Sequence, residues 1–284
     1  MGTSPRFAIC NETWENLPWP ETCRQIAAAG YDGVEIAPFT LAPTAGELSA
    51  ARRAEIRRVA EDAGLAIVGL HWLLVSPPGL HMTTPDAAVR ARTADYLRQL
   101  ADLCGDLGGN ILVLGSPKQR NIDEGTSREE ARARYIEALR PCLDACAARG
   151  VTLCLEPLGP QETNFLLTLD EARGLIDAID HPACRTIFDV KAASTEDKPL
   201  PDLLRANADI IAHFHANDAN RRGPGFGDTD FVPILKATRE INYPGWISIE
   251  VFDYAPDPDT IATQGLATLR RAWDEAQERP VRGD

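Results

Sequence analysis

The chain has 284 residues, of which 44% are hydrophobic and 25% charged, with 29 Lys and Arg set against 42 Asp and Glu. The length suits one α/β barrel and can bury a large core, while a net charge of −13 speaks against a nucleic-acid backbone as partner. No apolar run is long enough to span a bilayer, and the residues after Met1 lack the apolar centre of a signal peptide, so a cytoplasmic protein with no membrane partner is expected. The seven cysteines include no C-x-x-C pair and read as small buried thiols of a reducing compartment.

In chain order, Arg6 to Cys10 reads as a strand, followed by Pro20 to Gly30 as a helix with Pro at its start and Gly at its end. Gly33 to Ala37 is a second strand, Glu47 to Ala63 a helix closed by Gly64, and Ala66 to Trp72 a third strand. A long amphipathic helix runs from Pro85 to Leu107, and a fourth strand from Asn110 to Gly115. Ser127-Arg-Glu-Glu130 offers a capping box for a helix to Arg149, and Thr168-Leu-Asp-Glu171 a similar start for a helix to about Ile179. Between them a fifth strand ends at Glu156. The sixth strand carries Asp189, a short helix spans Pro201 to Ala206, and the seventh strand carries His215. A helix from Phe231 to Ile241, a strand carrying Glu250 and a helix from about Asp259 to Gln277 complete the series, leaving Glu278 to Asp284 as a frayed tail. Strands alternate with helices and are apolar on both faces, as a helix-covered parallel sheet requires. The pattern predicts a single (β/α)8 barrel over residues 1–284 rather than an open doubly wound sheet. No G-x-G-x-x-G turn follows the first strand, which weighs against a dinucleotide site.

Glu156, Asp189, His215 and Glu250 stand at or near the C-terminal ends of strands five to eight, where sites on this fold gather. Any one of them alone reads equally well as a salt bridge or a satisfied core group. Three converging carboxylates would repel one another without a cation. With an imidazole they make a set suited to one divalent ion, Mn²⁺ or Mg²⁺, with Co²⁺, Fe²⁺ or Zn²⁺ as alternatives. Glu12, Glu35, His71 and Trp72 also lie at strand ends. Glu12 and His71 are candidates to shape a substrate pocket, or to act as structural partners behind it. Lys118, Arg120, Lys191 and Arg221 could form a cationic rim fitted to a phosphate or carboxylate, or be independent solvated charges. His213 shares strand parity with His215 but lies deeper and reads as a core histidine.

The motifs Glu156-Pro-Leu with Glu162, Phe188-Asp189, His213-Phe-His215-Ala-Asn-Asp-x-x-Arg221, Gly225-Phe-Gly and Gly245-Trp-Ile-Ser-Ile-Glu250, with ligand spacings of 33, 26 and 35 residues, carry a resemblance. The chain resembles the sugar isomerase/epimerase family of xylose isomerase-like TIM barrels. Within it the likeness is to the ketose 3-epimerases acting on tagatose and psicose (allulose), and to hydroxypyruvate isomerase. The resemblance implies a metal held by Glu156, Asp189, His215 and Glu250. It implies that Glu156 and Glu250 also act as acid and base on opposite faces of a keto sugar, working through a metal-bound enediolate. Glu162 and Arg221 match positions that contact the sugar near the reacting carbon. The family often forms homodimers or homotetramers. One departure stands out: where the epimerases carry a His three residues after the metal Asp, this chain has Ala192, and Lys191 is the candidate to replace it. That opens isomerisation, or epimerisation of a modified sugar such as a keto-glycoside, beside free-ketose 3-epimerisation. An inositol-type or keto-sugar dehydratase would use the same metal and the same proton abstraction. A three-zinc DNA-repair endonuclease on a related barrel needs more His ligands and a positive groove. A non-catalytic sugar-binding barrel would not need all four ligand positions.

Overall fold

The computed structural model describes residues 5–278, and the expected tail beyond Glu278 lies outside them. Eight short strands pair in sequence order, all parallel, and close on themselves: β1 (Arg6–Cys10), β2 (Gly33–Ile36), β3 (Ala66–Leu70), β4 (Ile111–Leu114), β5 (Thr152–Leu155), β6 (Cys184–Asp189), β7 (Ile211–Ala216) and β8 (Trp246–Ile249). Closure runs through β1 and β8, with Arg6 opposite Trp246 and Ile9 opposite Ile249. The outer layer comprises α1 (Trp19–Ala29), α2 (Ala50–Asp62), α3 (Ala87–Leu107), α4 (Arg128–Arg149), α5 (Leu169–Ile179), α6 (Val190–Ala193), α7 (Leu200–Ala206), α8 (Phe231–Glu240) and α9 (Pro258–Glu278). None of these helices is long and apolar enough to cross a membrane.

The helix boundaries follow local chemistry. Ser127 caps α4 in a reciprocal box, its hydroxyl accepting from the Glu130 N–H while Glu130 accepts from the Ser127 N–H. Thr168 caps α5 in the same way, but Glu171 turns its carboxylate to the Leu167 N–H instead, so the box there is half made. The second helix begins at Ala50 rather than Glu47, because Ser49 takes the N-cap and residues 45–47 form a separate 3₁₀ turn. α6 has no counterpart in the periodicity. It is a single turn begun by Asp189 itself, whose carboxylate accepts from the Ala192 N–H at 2.6 Å. All seven cysteines are free and buried.

Side chains two apart share the barrel interior, and they divide it into two zones. The lower zone is apolar and holds Ala8, Val68, Ile111, Val113, Cys154 and Ile187, with Trp246 at its base and the Arg6 guanidinium 4.3 Å over the indole. The next inward positions toward the C-terminal ends are polar: Cys10, Glu35, His71, Glu156, Asp189, His215 and Glu250, all buried. The helices pack on the outer faces of the strands through a separate apolar layer. The barrel is therefore dry and apolar below and polar at one mouth, which localises any chemistry.

Gly69 is fixed by strand packing. A Cβ there would fall 2.0 Å from the Ile111 carbonyl oxygen, in backbone that cannot move without breaking the β3–β4 pairing. Gly69→Ala is expected to destabilise the protein by about 3 kcal/mol or more, at the upper end of overpacking costs. Gly174, inside α5 with nothing within 4 Å of a built Cβ, is the internal control. Gly174→Ala should be neutral or stabilising by up to about 1 kcal/mol. Urea denaturation of the two variants reads both values, and a Gly69→Ala protein as stable as the parent would contradict the strand packing described.

Candidate metal centre and active site

The four strand-end residues converge. Glu156, Asp189, His215 and Glu250 each offer a ligand atom, and these atoms lie within 4.8 Å of one another. Nδ1 of His215 is 3.6 Å from Glu156 Oε1, 3.8 Å from Asp189 Oδ2 and 3.1 Å from Glu250 Oε2. Strand register brings this about: Asp189 is directly opposite His215, and His215 opposite Ser248, two residues before Glu250. Glu156 and Glu250 each sit one residue past their strand ends, a little later than alternation alone would end them.

Three of the four, His215, Asp189 and Glu250, are held from behind. Glu35, on β2 across the barrel and fully buried, accepts from Nε2 of His213 at 2.9 Å and reaches Nε2 of His215 with both oxygens at 3.2 Å. That contact leaves Nδ1 of His215 facing the three carboxylates. Asp189 spends Oδ1 on the Ala192 N–H and Oδ2 on the Asn217 side-chain amide at 2.7 Å. Glu250 Oε1 meets Nδ1 of His71 at 3.1 Å and accepts from the Trp72 indole at 3.0 Å. His71 in turn meets Glu12 at 2.9 Å. Gly115 makes room for Glu156, since a Cβ there would lie 2.0 Å from Glu156 Oε2.

Burial and the mutual pull of carboxylates and histidines set the electrostatics of the cluster. Burial pushes the Asp189 carboxyl up to about 6; Lys191 opposes this, and Glu156 and Glu250 add to it. Burial also works against Glu250 and Glu35, but the neighbouring histidines outweigh it and hold both carboxyls below their ordinary value. Burial lowers the basicity of His215, and Glu35 and Glu250 more than reverse this. His71, despite its burial, is carried up to about 10, chiefly by Glu12. The same carboxylates that draw a proton to His215 would draw a divalent cation, which imidazole binds in its neutral form. Nδ1 of His215 and Oε2 of Glu250 are 3.1 Å apart, yet both are buried without a hydrogen-bond partner. Two orphaned ligand atoms facing each other across a carboxylate cluster fit a cation between them. Cys10 is no candidate nucleophile, because burial and then Glu35, Glu12 and Glu250 push its thiol well above the ordinary value.

Above the cluster opens a cavity of about 550 Å³. Glu156, Glu250, His71 and Glu162 line it, with Trp72 and Phe252 as aromatic walls whose rings stack at 6.1 Å. Lys118 and Arg221 also line it, both from exposed loop positions. Trp72, Ser116 and Arg221 adopt positive φ angles of 53°, 44° and 72°, left-handed conformations that non-glycine residues keep only where the surroundings enforce them. A second cavity of about 380 Å³ lies at the opposite end of the barrel, beside Arg6, Tyr243 and Trp273, away from the ligand cluster.

Three sequence expectations change. Glu12, open between a pocket role and a structural one, is absent from the cavity wall and stands beside His71 and Glu250 as a partner behind it. Lys191 is buried behind the wall, its Nζ 2.9 Å from each Glu162 oxygen and 4.5 Å over the Phe252 ring. Arg120 is not part of a cationic rim. It is 1% exposed and donates to the carbonyls of Leu114, Glu156 and Leu166, tying the ends of β4 and β5 to the loop before α5. Glu35 and Asn217 were given no role from sequence. A carboxylate inside a four-residue apolar strand, and two histidines of one parity on β7, were the signal for the first.

The family described as xylose isomerase-like TIM barrel matches residues 23–272. The D-psicose 3-epimerase of Agrobacterium fabrum (strain C58) is 27% identical over 231 residues, covering 80% of this chain and 77% of that enzyme. The L-ribulose 3-epimerase of Methylomonas sp. (strain DH-1) is 25% identical over 252 residues, covering 89% and 84%. Among solved structures, a 3-keto-D-glucoside 4-epimerase from E. coli in its apo form superposes with a TM-score of 0.83 at 22% identity, covering 94% of this chain and 100% of that one; a likeness at that identity speaks for the fold alone. A family match over most of a closed eight-stranded barrel, joined by relatives that are epimerases, makes this chain a member of the xylose isomerase-like TIM barrel family and an enzyme of the isomerase class.

Proposed function

We propose that this enzyme is a divalent-metal-dependent epimerase or isomerase of a keto sugar or sugar derivative, with ketose 3-epimerisation the reading nearest to its relatives. The observation that carries the proposal is the convergence of Glu156, Asp189, His215 and Glu250 at the floor of a cavity whose volume, about 550 Å³, suits a small ligand. Three carboxylates and one imidazole favour Mn²⁺ among the divalent ions. A bound ion would supply Lewis-acid polarisation of the substrate carbonyl and make the neighbouring C–H acidic.

The chain's own groups then move the proton. Glu156 and Glu250 are the two members of the cluster that also line the cavity, so both can reach a sugar as well as an ion. Glu250 is fixed in orientation through Oε1 by His71 and Trp72, as a positioned base requires. One carboxylate takes the proton next to the carbonyl and the other returns one to the opposite face, which inverts the centre. Asp189, with both oxygens already committed to Ala192 and Asn217, is read as ligand only. Glu162 and Arg221 would orient the sugar hydroxyls, and His71 would orient Glu250. The apolar faces of Trp72 and Phe252 exclude water from the reacting carbon.

Three outcomes follow. Glu250→Gln keeps the size and one ligand oxygen but removes the base, so turnover should fall by at least roughly 10²-fold with part of the metal affinity retained. The measure is wash-in of solvent deuterium at the carbon beside the carbonyl, across free, phosphorylated and 3-keto sugars. Exchange at the parental rate would exclude Glu250 as an essential base. Arg221→Ala should raise KM and slow turnover less than Glu250→Gln, because it removes a positioning contact and leaves both bases in place. Chelation should lower the Tm, by roughly 5–10 °C if the ion is held at about a hundred times its Kd. An unchanged melting curve after verified metal removal would count against a tightly held ion.

A further inference from the structure

The cavity wall holds three carboxylates, Glu156, Glu162 and Glu250, and three basic side chains, Lys118, Arg221 and His71, the last engaged by Glu12 and Glu250. Glu156 and Glu250 belong to the ligand cluster at the floor. Glu162 stands apart from it. Both of its oxygens lie 2.9 Å from the ammonium of Lys191, a lysine only 3% exposed and clamped over the Phe252 ring. The pair is fixed, with Lys191 buried and Glu162 partly exposed to the cavity, so Glu162 adds polarity to the wall but little net charge. Lys118 and Arg221 are exposed at the rim, and among the described residues neither makes a salt bridge. Asp253, on the loop that follows Glu250, is matched with Arg222 at 3.5 Å instead. Arg221 is held with its guanidinium 5.4 Å over Phe252 and its backbone at a positive φ. Gln119 and Gln161 bring side-chain amides to the same wall. A protein of net charge −13 thus presents a rim with two cations that no salt bridge engages among the described residues.

We infer that the site selects keto sugars that carry an anionic group, with Lys118 and Arg221 as the countercharge and Lys191 as a specificity-determining residue that cancels Glu162. Without Lys191, Glu162 would place a negative charge on the same wall, offset one of the two cations and repel an anion. The pair therefore works as negative charge removed from the pocket, and its effect falls on the choice of substrate. Phosphate and carboxylate share the chemistry that two cations and two amides recognise. This inference rests on the keto-sugar reading above.

The test is deuterium wash-in by the metal-loaded full chain with D-fructose and D-tagatose, their 6-phosphates and their 6-carboxylates. At least one anionic series should exceed the neutral sugars in kcat/KM by about tenfold or more, and the advantage should shrink with added salt. Which series wins distinguishes phosphate from carboxylate. Lys191→Met should lower the ratio of anionic to neutral kcat/KM by about tenfold, and adding Glu162→Gln should restore it, because the second change removes the charge that the first exposed. A merely structural lysine would lower the exchange of both series alike and leave their ratio unmoved. Lys118→Ala changes an exposed side chain, so it reads the same ratio without a folding risk, and it should lower it. Neutral sugars equal to or better than both anionic series would overturn the inference and leave the keto-sugar reading intact. So would a ratio unmoved in Lys118→Ala. Exchange with none of the sugars by protein that holds its ion would remove the keto-sugar reading, and this inference with it.

Discussion

Glu35 reaches across the barrel from β2 to the two histidines of β7, in a place no water reaches. A buried carboxylate is tolerated only when paired, and here the pairing does structural work on the ligand set. By engaging Nε2 of His215, Glu35 turns Nδ1 toward Glu156, Asp189 and Glu250. Glu12 does the corresponding service for His71, whose other nitrogen steadies Glu250. The upper barrel is thus built in shells, with Glu250 held by His71 and the Trp72 indole, Asp189 by amides, and the histidines by deeper carboxylates. Side chains oriented in this way keep the geometry that the proposed metal site needs.

Most of the barrel was legible because its signals are redundant. Short apolar runs, capped helices and glycine stops agree with one another along the whole chain, and the chemistry falls where this fold puts it, at strand ends. The four ligand candidates were visible as polar residues closing apolar strands. Their supports were harder to read, because nothing in a linear sequence says that Glu35 lies opposite His213; the strand order and the shifted register between β6 and β7 decide that. Arg120 shows the opposite failure. In a loop written Ser-Pro-Lys-Gln-Arg, a cation at the rim is the natural expectation, yet the chain turns through Ser116 at positive φ and carries the guanidinium inward to three carbonyls.

Lys191 is the instructive middle case. Strand alternation puts it on the same face as Asp189, which is the correct neighbourhood for a different reason. The strand stops at Asp189, and a single helical turn begins there, capped by the same carboxylate. That turn sends Lys191 toward Glu162 and Phe252 and leaves Ala192 buried beside the ligand, its N–H donating to Asp189. One turn of helix thus separates the side chain that pairs with Glu162 from the carboxylate that joins the cluster.

In the proposed enzyme four side chains hold one ion. Titrating the metal-stripped protein with Mn²⁺ and reading free Mn²⁺ by electron paramagnetic resonance tests this most directly. One tight site per chain is predicted, abolished in Asp189→Ala. Asp189 is the ligand read here as having no part in proton transfer, so its loss isolates ligation from catalysis. A parental protein that leaves the Mn²⁺ signal unchanged, or an Asp189→Ala variant that binds as tightly as the parent, would contradict the metal centre described.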